Sequence, residues 1–531
     1  MTQGGPQQIE VTDASALVAG IPVRPCRRPA DPGSPAAGEP HEPQIDGSPP
    51  GDDRPHEECA VFGVWNATDA AAITTLGLHA LQHRGQEATG IVSFDGRHFH
   101  SHKGLGLVGD NFGDAQVISG LPGTHAIGHN RYATTGETVL RNVQPLYADF
   151  EFGGLAVGHN GNLTNAYRLR RDLVRRGCLF QSTTDSEVFV HLIAISTYST
   201  VLDRLIDALK QVVGAYSLVA LTNTALIGVR DPMGVRPLIL GRLAGADGNP
   251  AYVLASETCA LEIVGAEFVR DIEAGEIVEI SEKGVRSIRP FGRLRPRFCV
   301  FEYIYFARPD STIDGISVYA ARKRIGAELA RESGVAADVV VPVPDSGVPA
   351  ALGYAAESSI PFELGIIRNH YVGRTFIEPI DRIRHLGVKL KHSTNRAVLA
   401  GRRVVLVDDS IVRGTTSRKI VEMVRAAGAR EVHMRISSPP FRHPCFYGID
   451  TPEESELLAA RHDVAEMAAM IGADSLAFIS IDGLYRALGK GARDPGNPAF
   501  CDACFTGDYP IPLTDITAKT ERQLSLLAED N

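Results

Sequence analysis

The alternation of apolar and polar positions changes abruptly at Cys59. Residues 1–58 are crowded with Pro, Gly, Asp and Glu, most densely from Pro29 to Asp53. A segment of that composition buries too little apolar surface to offset its ordering entropy, so it is read as a disordered or removable leader. At Cys59 the run CAVFGVW opens an apolar, β-prone pattern. From there to residue 285 short apolar runs alternate with glycine punctuation, as in AIGHNRYATTG, GGLAVGHNGNL, YSLVALTNTALIGVRD and AYVLASET. Helical patterns interrupt them around Ala70–His83 and Asp185–Ile195. This predicts a layered domain of helices and many antiparallel strands over 59–285.

Beyond residue 300 the rhythm becomes strand, loop, helix. ADVVVPVPDSG reads as a strand entering a Gly loop, and RRVVLVDDSIVRGTTSRKIVEMVRAAGA as a strand, a polar loop and an amphipathic helix. REVHMRISSPP is the next strand, and SLAFISID the last before a cysteine-bearing tail. Alternation of this kind predicts a parallel sheet with crossover helices over 286–515, followed by a short tail, 516–531. No internal repeat is present.

Composition narrows the class. The 531 residues suit two or three domains, and 44 % hydrophobic with 22 % charged residues is ordinary for a globular protein. A net charge of −10 argues against general nucleic-acid binding. No run of 18 apolar residues offers a membrane span, and no basic stretch leads into an apolar core as in a secretory signal. The chain is therefore expected in the cytoplasm. There its eight cysteines read as catalytic, metal-binding or buried rather than as a disulfide framework.

Chemistry concentrates first between Val404 and Lys419. Val404, Val405, Leu406 and Val407 form a buried strand, Asp408 and Asp409 lie at its carboxyl end, and Ser410 to Thr416 loop into a helix. Ligands of open α/β sheets bind beyond the carboxyl ends of strands. A helix N-terminus with hydroxyls beside it suits a phosphate, and Gly414 lets the backbone come close. The paired carboxylates suit ribose hydroxyls and Mg²⁺. The plain alternative is a capped helix after a strand. The lysine of a P-loop is missing, which excludes a Walker-type nucleotide site.

A second concentration is cysteine. Cys501 and Cys504 form C-x-x-C in PAFCDACF, a spacing that fits zinc, iron–sulfur or redox chemistry. No βαβ unit begins there, which disfavours a thioredoxin-type motif. Two further thiolates would complete a four-cysteine site, from Cys26, Cys178, Cys259, Cys299 and Cys445. Cys59 taken alone reads as a small core residue, and Asn160-Gly161 taken alone as a hairpin turn.

VVLVDDSIVRGTT resembles the signature with which type I phosphoribosyltransferases bind phosphoribosyl pyrophosphate (PRPP). With it stand Cys59-AVFGVW, LQHRGQEATG, HNRYATTG, HNGNL, EYIYFARPDS, NHYVGRTFI and SSPPFRHPCFYGID, spread over residues 59–515. In that order they resemble the iron–sulfur branch of the amidophosphoribosyltransferase family. The resemblance implies an N-terminal-nucleophile (Ntn) hydrolase domain of αββα layers, then a type I phosphoribosyltransferase domain with a parallel sheet. It implies glutamine hydrolysis at an N-terminal cysteine, with the ammonia channelled to PRPP. Ammonia there displaces pyrophosphate to give 5-phosphoribosylamine, the first step of purine synthesis. Purine nucleotide feedback inhibitors and a homotetramer are implied as well.

The same resemblance assigns residues. Cys59 is the nucleophile, freed by cleavage after Glu58 so that its own α-amine takes the thiol proton; a start codon placed too far upstream would have the same effect. Such an amine, with a pKa near 8, is matched to that task. Asn160 and Gly161 form the oxyanion hole. Arg131 holds the α-carboxylate of glutamine, Asp185 its α-ammonium, and Gly85 lines the pocket. Asp408, Asp409, Ser410, Arg413, Gly414, Thr415 and Thr416 bind PRPP. Arg374 and Lys389 meet the pyrophosphate, with Arg368 a further candidate. Ser346 joins Asp408 and Asp409 at Mg²⁺, with Asp345 as its rival. Cys299, Cys445, Cys501 and Cys504 hold a [4Fe–4S] cluster, leaving Cys259 and Cys178 in the core; thiolate chemistry alone does not separate this from zinc. Two other readings are a PRPP- or nucleotide-sensing regulator that has lost catalysis, and an Ntn amidotransferase acting on a sugar phosphate. The retained Cys59, Arg131, Asn160 and Asp185 speak against the first, and VVLVDDSIVRGTT against the second.

Overall fold

Every residue of the first strand, β1 (Ala60–Trp65), is buried. Successive side chains of a strand face opposite ways. Ala60, Phe62 and Val64 pack on the helices Ala70–Ala80 and Thr258–Val264. Val61 and Trp65 face Ala156, Val219 and Leu226 of a second sheet. The computed structural model describes residues 59–132, 138–245, 248–369 and 392–515. The leader 1–58, with Cys26, and the tail 516–531 lie outside them.

The strands following β1 are β2 (Ala88–Phe94), β3 (Phe99–Leu105), β4 (His125–Arg131), β5 (Leu146–Phe150), β6 (Gly153–Leu163) and β7 (Gly214–Thr222). Then come β8 (Ala225–Arg230), β9 (Ile239–Ala244), β10 (Pro250–Ala255), β11 (Glu267–Asp271), β12 (Ile277–Ser281) and β13 (Gly284–Ile288). One sheet runs β11-β9-β10-β1-β4-β2-β3 and the other β13-β12-β8-β7-β6-β5, with every pairing antiparallel. Gly63 lets the sheets meet closely, since a Cβ there would lie 2.7 Å from Val219 Cγ1. Helices Ala166–Arg175, Glu187–Ile195 and Val201–Leu209 cover the outer face of the second sheet. The layers are thus helix, sheet, sheet, helix, as the resemblance implied.

Asn160 and Gly161 correct the hairpin reading. They sit inside β6, opposite Ser217 and Tyr216 of β7. The dipeptide favours a turn by itself, but the eleven-residue strand carries straight through it.

The second half is a parallel sheet in the order Val339–Pro342, Arg403–Asp408, Glu431–Ile436, Ser475–Phe478. Both faces are covered, which explains why these strands read as continuous apolar runs. Val405 and Val407 pack toward the helices Val318–Ser333 and Val348–Ser358. Val404 and Leu406 pack toward Thr415–Ala426 and Val464–Ile471. SLAFISID is not the last strand. Phe500–Cys501 pairs in parallel with Phe298–Cys299, too short a run for a sequence pattern to announce.

A buried charge network joins the halves. Arg84 binds Glu257 and Glu302, and Arg236 binds Glu302, with all four side chains fully buried. His83 adds a 2.7 Å contact to Glu257. Buried charges are tolerated only when paired, and here the layered half supplies Arg84, Arg236 and Glu257. Glu302 comes from the π-helical turn Glu302–Phe306 that leads into the second half. No helix among the described residues is long and apolar enough to cross a membrane.

Candidate active sites

The strand register brings the glutamine-pocket candidates together. Ala60 pairs with Asn130, which sets Arg131 beside Cys59, and Ala88 pairs with Arg131 from the other side. Gly85 presses on this ladder: a Cβ there would lie 2.7 Å from the carbonyl carbon of Asn130. Cys59 is buried, and its thiol donates to the Tyr132 carbonyl at 3.5 Å. Burial pushes the thiol pKa up, the Arg131 guanidinium pulls it partly back, and the Asp185 and Glu87 carboxylates push it up again.

Asn160 approaches from the second sheet. The Cβ position of Gly158 lies 3.6 Å from Val61. Asn160 lies on the same face of β6 as Gly158, and Cys59 on the same face of the chain as Val61. Asn160 is fully buried, and neither its Oδ1 nor its Nδ2 has a hydrogen-bond partner among the described residues. A buried amide left unpaired costs free energy unless a ligand completes it. Gly161 has φ 135°, and a Cβ there would sit 2.1 Å from the Ala215 carbonyl oxygen, so only glycine fits. Asp185 Oδ2 accepts the Leu163 N–H at 2.9 Å. Sequence reasoning missed the Tyr132 carbonyl that accepts from the thiol. It also missed Gln144, His159 and Ser186, which surround Asp185; His159 and Ser186 adjoin predicted residues, whereas Gln144 carries no local signal.

The second site forms at the carboxyl end of Arg403–Asp408. Asp408, Asp409 and Ser410 are buried. Ser346 donates to Asp409 Oδ1 and Ser410 to Oδ2, each at 2.6 Å, and the Asp409 N–H donates to Asp408 Oδ1 at 3.0 Å. Gly414 caps the following helix in the left-handed region, φ 82°, and Thr415 and Thr416 open its first turn. Arg413 is half-exposed and pairs with Glu456 at 2.8 Å. Arg368 pairs with the rival Asp345 at 2.6 Å. Arg374 and Lys389 lie outside the described residues.

The seven described cysteines are all free. Cys299 and Cys501 face each other across the short parallel pair. Burial raises the thiols of Cys501 and Cys504, and Cys299 and Cys445 add to the rise; Cys299, Cys501 and Cys504 belong to one core cluster and Cys445 packs against it. Cys299 itself is pushed up to about 11, mainly by burial. Cys259 belongs to the core of the layered half and Cys178 packs on its outer helices. Among the described residues, no three His, Cys, Asp or Glu side chains close around a point that could hold a metal ion.

The two halves match separate families: a glutamine amidotransferase domain over residues 129–262 and a phosphoribosyl transferase domain over 317–437. Fold and sites thus define a glutamine amidotransferase joined to a phosphoribosyltransferase. The amidophosphoribosyltransferase of Rhizobium etli is 58% identical over 482 residues, 90% of this chain and 96% of the relative. That of Bacillus subtilis is 50% identical over 459 residues, 86% of this chain and 95% of the relative. A solved structure of the B. subtilis glutamine PRPP amidotransferase, complexed with ADP and GMP, superposes with a TM-score of 0.81 at 50% identity, covering 86% of this chain and 98% of that one. The chain belongs to the amidophosphoribosyltransferase family.

Proposed function

We infer that the chain makes 5-phosphoribosylamine from PRPP and glutamine, opening purine synthesis in the cytoplasm, where its free thiols persist. The observation that carries the glutamine half is the fully buried amide of Asn160, which has no hydrogen-bond partner among the described residues. Once Cys59 is the N-terminal residue, its α-amine takes the thiol proton and the thiolate attacks the side-chain amide carbon of glutamine. The oxyanion is met by the Asn160 amide and the Gly161 N–H. Collapse expels ammonia and leaves a thioester, which water hydrolyses. Arg131 holds the substrate carboxylate, Asp185 its ammonium, and Gly85 leaves room for it. A thiol raised by burial supports the need for an adjacent base.

In the second half, Asp408 and Asp409 take the ribose hydroxyls, and Ser410, Gly414, Thr415 and Thr416 receive the 5-phosphate at the helix N-terminus. Arg374 and Lys389 meet the pyrophosphate. Arg413 joins them on leaving Glu456. Asp408, Asp409 and Ser346 would hold Mg²⁺, which would supply positive charge for the departing pyrophosphate. Cys299, Cys445, Cys501 and Cys504 would hold a [4Fe–4S] cluster, which would tie the tail to the interdomain strand; neither half-reaction needs its electrons. Purine nucleotides regulate a homotetramer on this reading; the B. subtilis relative was solved with ADP and GMP.

Two variants assayed with both nitrogen sources test the scheme. Cys59→Ala abolishes synthesis from glutamine and keeps synthesis from ammonia. Asp408→Ala loses both. Equal loss of both activities in a correctly folded Cys59→Ala chain would contradict the two-site scheme.

A further inference from the structure

Behind the glutamine pocket lies a buried hydrogen-bond network that the scheme above does not use. Strand β6 runs past its neighbour β5, whose last partner on it is Val157, opposite Leu146. Beyond that point the backbone of His159 is taken up by side chains. Its N–H donates to Gln144 Oε1 at 2.8 Å, and its carbonyl lies 2.9 Å from His129 Nε2. Both contacts clamp the residue immediately before Asn160.

The network continues to Asp185. Ser186 Oγ lies 3.1 Å from Gln144 Nε2, 2.9 Å from His159 Nδ1 and 3.3 Å from Asp185 Oδ1. Gln144, His159 and Ser186 are each at most 2% exposed. The proton positions follow from what each group can do. A backbone N–H only donates, so the Gln144 atom facing His159 is its oxygen and the atom facing Ser186 is its NH₂. A carboxylate only accepts, so the single hydroxyl hydrogen of Ser186 goes to Asp185. Ser186 accepts from Gln144 and lies beside His159 Nδ1. Burial lowers the His159 pKa, against the pull of Asp185 and of a hydrogen bond to the Ala215 backbone.

We propose that Gln144, Ser186 and His159 are positioning residues for glutamine hydrolysis, with a division of labour. Ser186, backed by His159, aims the Asp185 carboxylate at the substrate ammonium. Gln144 fixes the His159 backbone and, one residue on, the Asn160–Gly161 oxyanion hole. The proposal rests on the roles given above to Asp185 and Asn160. It predicts that the two ends of one network affect different kinetic constants.

The test uses full-length variants confirmed by intact mass to begin at Cys59. Ser186→Ala raises the glutamine KM about tenfold and leaves kcat near wild type, because it weakens ground-state binding. Gln144→Ala lowers glutamine-dependent kcat about tenfold with KM little changed, a loosened donor costing less than a deleted one. Both variants keep wild-type synthesis from ammonia, which reports an intact fold. Should Ser186→Ala fail that check, Ser186→Thr restores the hydroxyl and keeps the wild-type KM. The proposal is overturned if either variant keeps both constants at wild-type values, if both shift the same constant, or if Ser186→Thr raises the KM. Asp185→Asn separates the two levels: an unchanged glutamine KM in that variant refutes the ammonium role itself rather than the network behind it.

Discussion

At the scale of single residues the glutamine site turns on groups whose environment departs from the ordinary. Asn160 is a fully buried amide with no partner among the described residues, and removing an oxyanion donor of this kind costs about 10²–10³ in kcat. Asn160→Ala is therefore expected to lower glutamine-dependent turnover by that factor and to leave ammonia-dependent synthesis intact. Loss of less than about threefold would dismiss Asn160 from the oxyanion hole. Cys59 supplies a pH test. Burial holds its thiol above the ordinary value, so in a chain that keeps its leader the thiolate fraction grows about tenfold per unit between pH 7 and 9. Iodoacetamide labelling of the Cys59 peptide, followed by mass spectrometry, should track that slope. A plateau by pH 7 would mean a thiol activated without its amine.

At the scale of elements, legibility followed sequence distance. The PRPP loop was readable because its strand, carboxylates, glycine and helix are contiguous between Arg403 and Ala426. The glutamine pocket was readable only through motifs, because three strands and two loops deliver its parts. Local propensity misled where tertiary context overrode it, as with Asn160-Gly161 inside β6. The charge network was invisible, since Arg84 meets Glu257 and Glu302 across 173 and 218 residues. Its removal should be costly. Glu302→Ala leaves Arg84 and Arg236 short of a counter-charge and is expected to destabilise the protein by about 3–5 kcal/mol, read from denaturant midpoints. A loss below about 1 kcal/mol would show that water reaches the network. Burial pushes the Glu257 pKa up, but Arg84 and His83 outweigh it and hold the carboxyl well below the usual range. A depressed carboxylate pKa stabilises above its unfolded value, near pH 4.3, and that stability is lost as pH falls. Glu257→Gln should thus be less stable at pH 7 and show a shallower decline in unfolding temperature below about pH 4.5. An unchanged acid slope would contradict the pairing.

At the scale of the whole molecule, two sites of different chemistry share one folded unit, and two conditions bear on its working state. The proposed glutamine mechanism needs Cys59 as the first residue, so intact mass of an active preparation should begin there. An active enzyme that retains Met1 would remove the α-amine from its role as base. The cluster proposed at Cys299, Cys445, Cys501 and Cys504 is tested by metal content. A preparation made without oxygen should be brown and contain iron, whereas stoichiometric zinc would refute the cluster. The central claim is the coupled reaction itself. Purified protein incubated with PRPP should release pyrophosphate only when Mg²⁺ is present together with glutamine or ammonia. Release without any nitrogen donor, or none under any of these conditions, would contradict it.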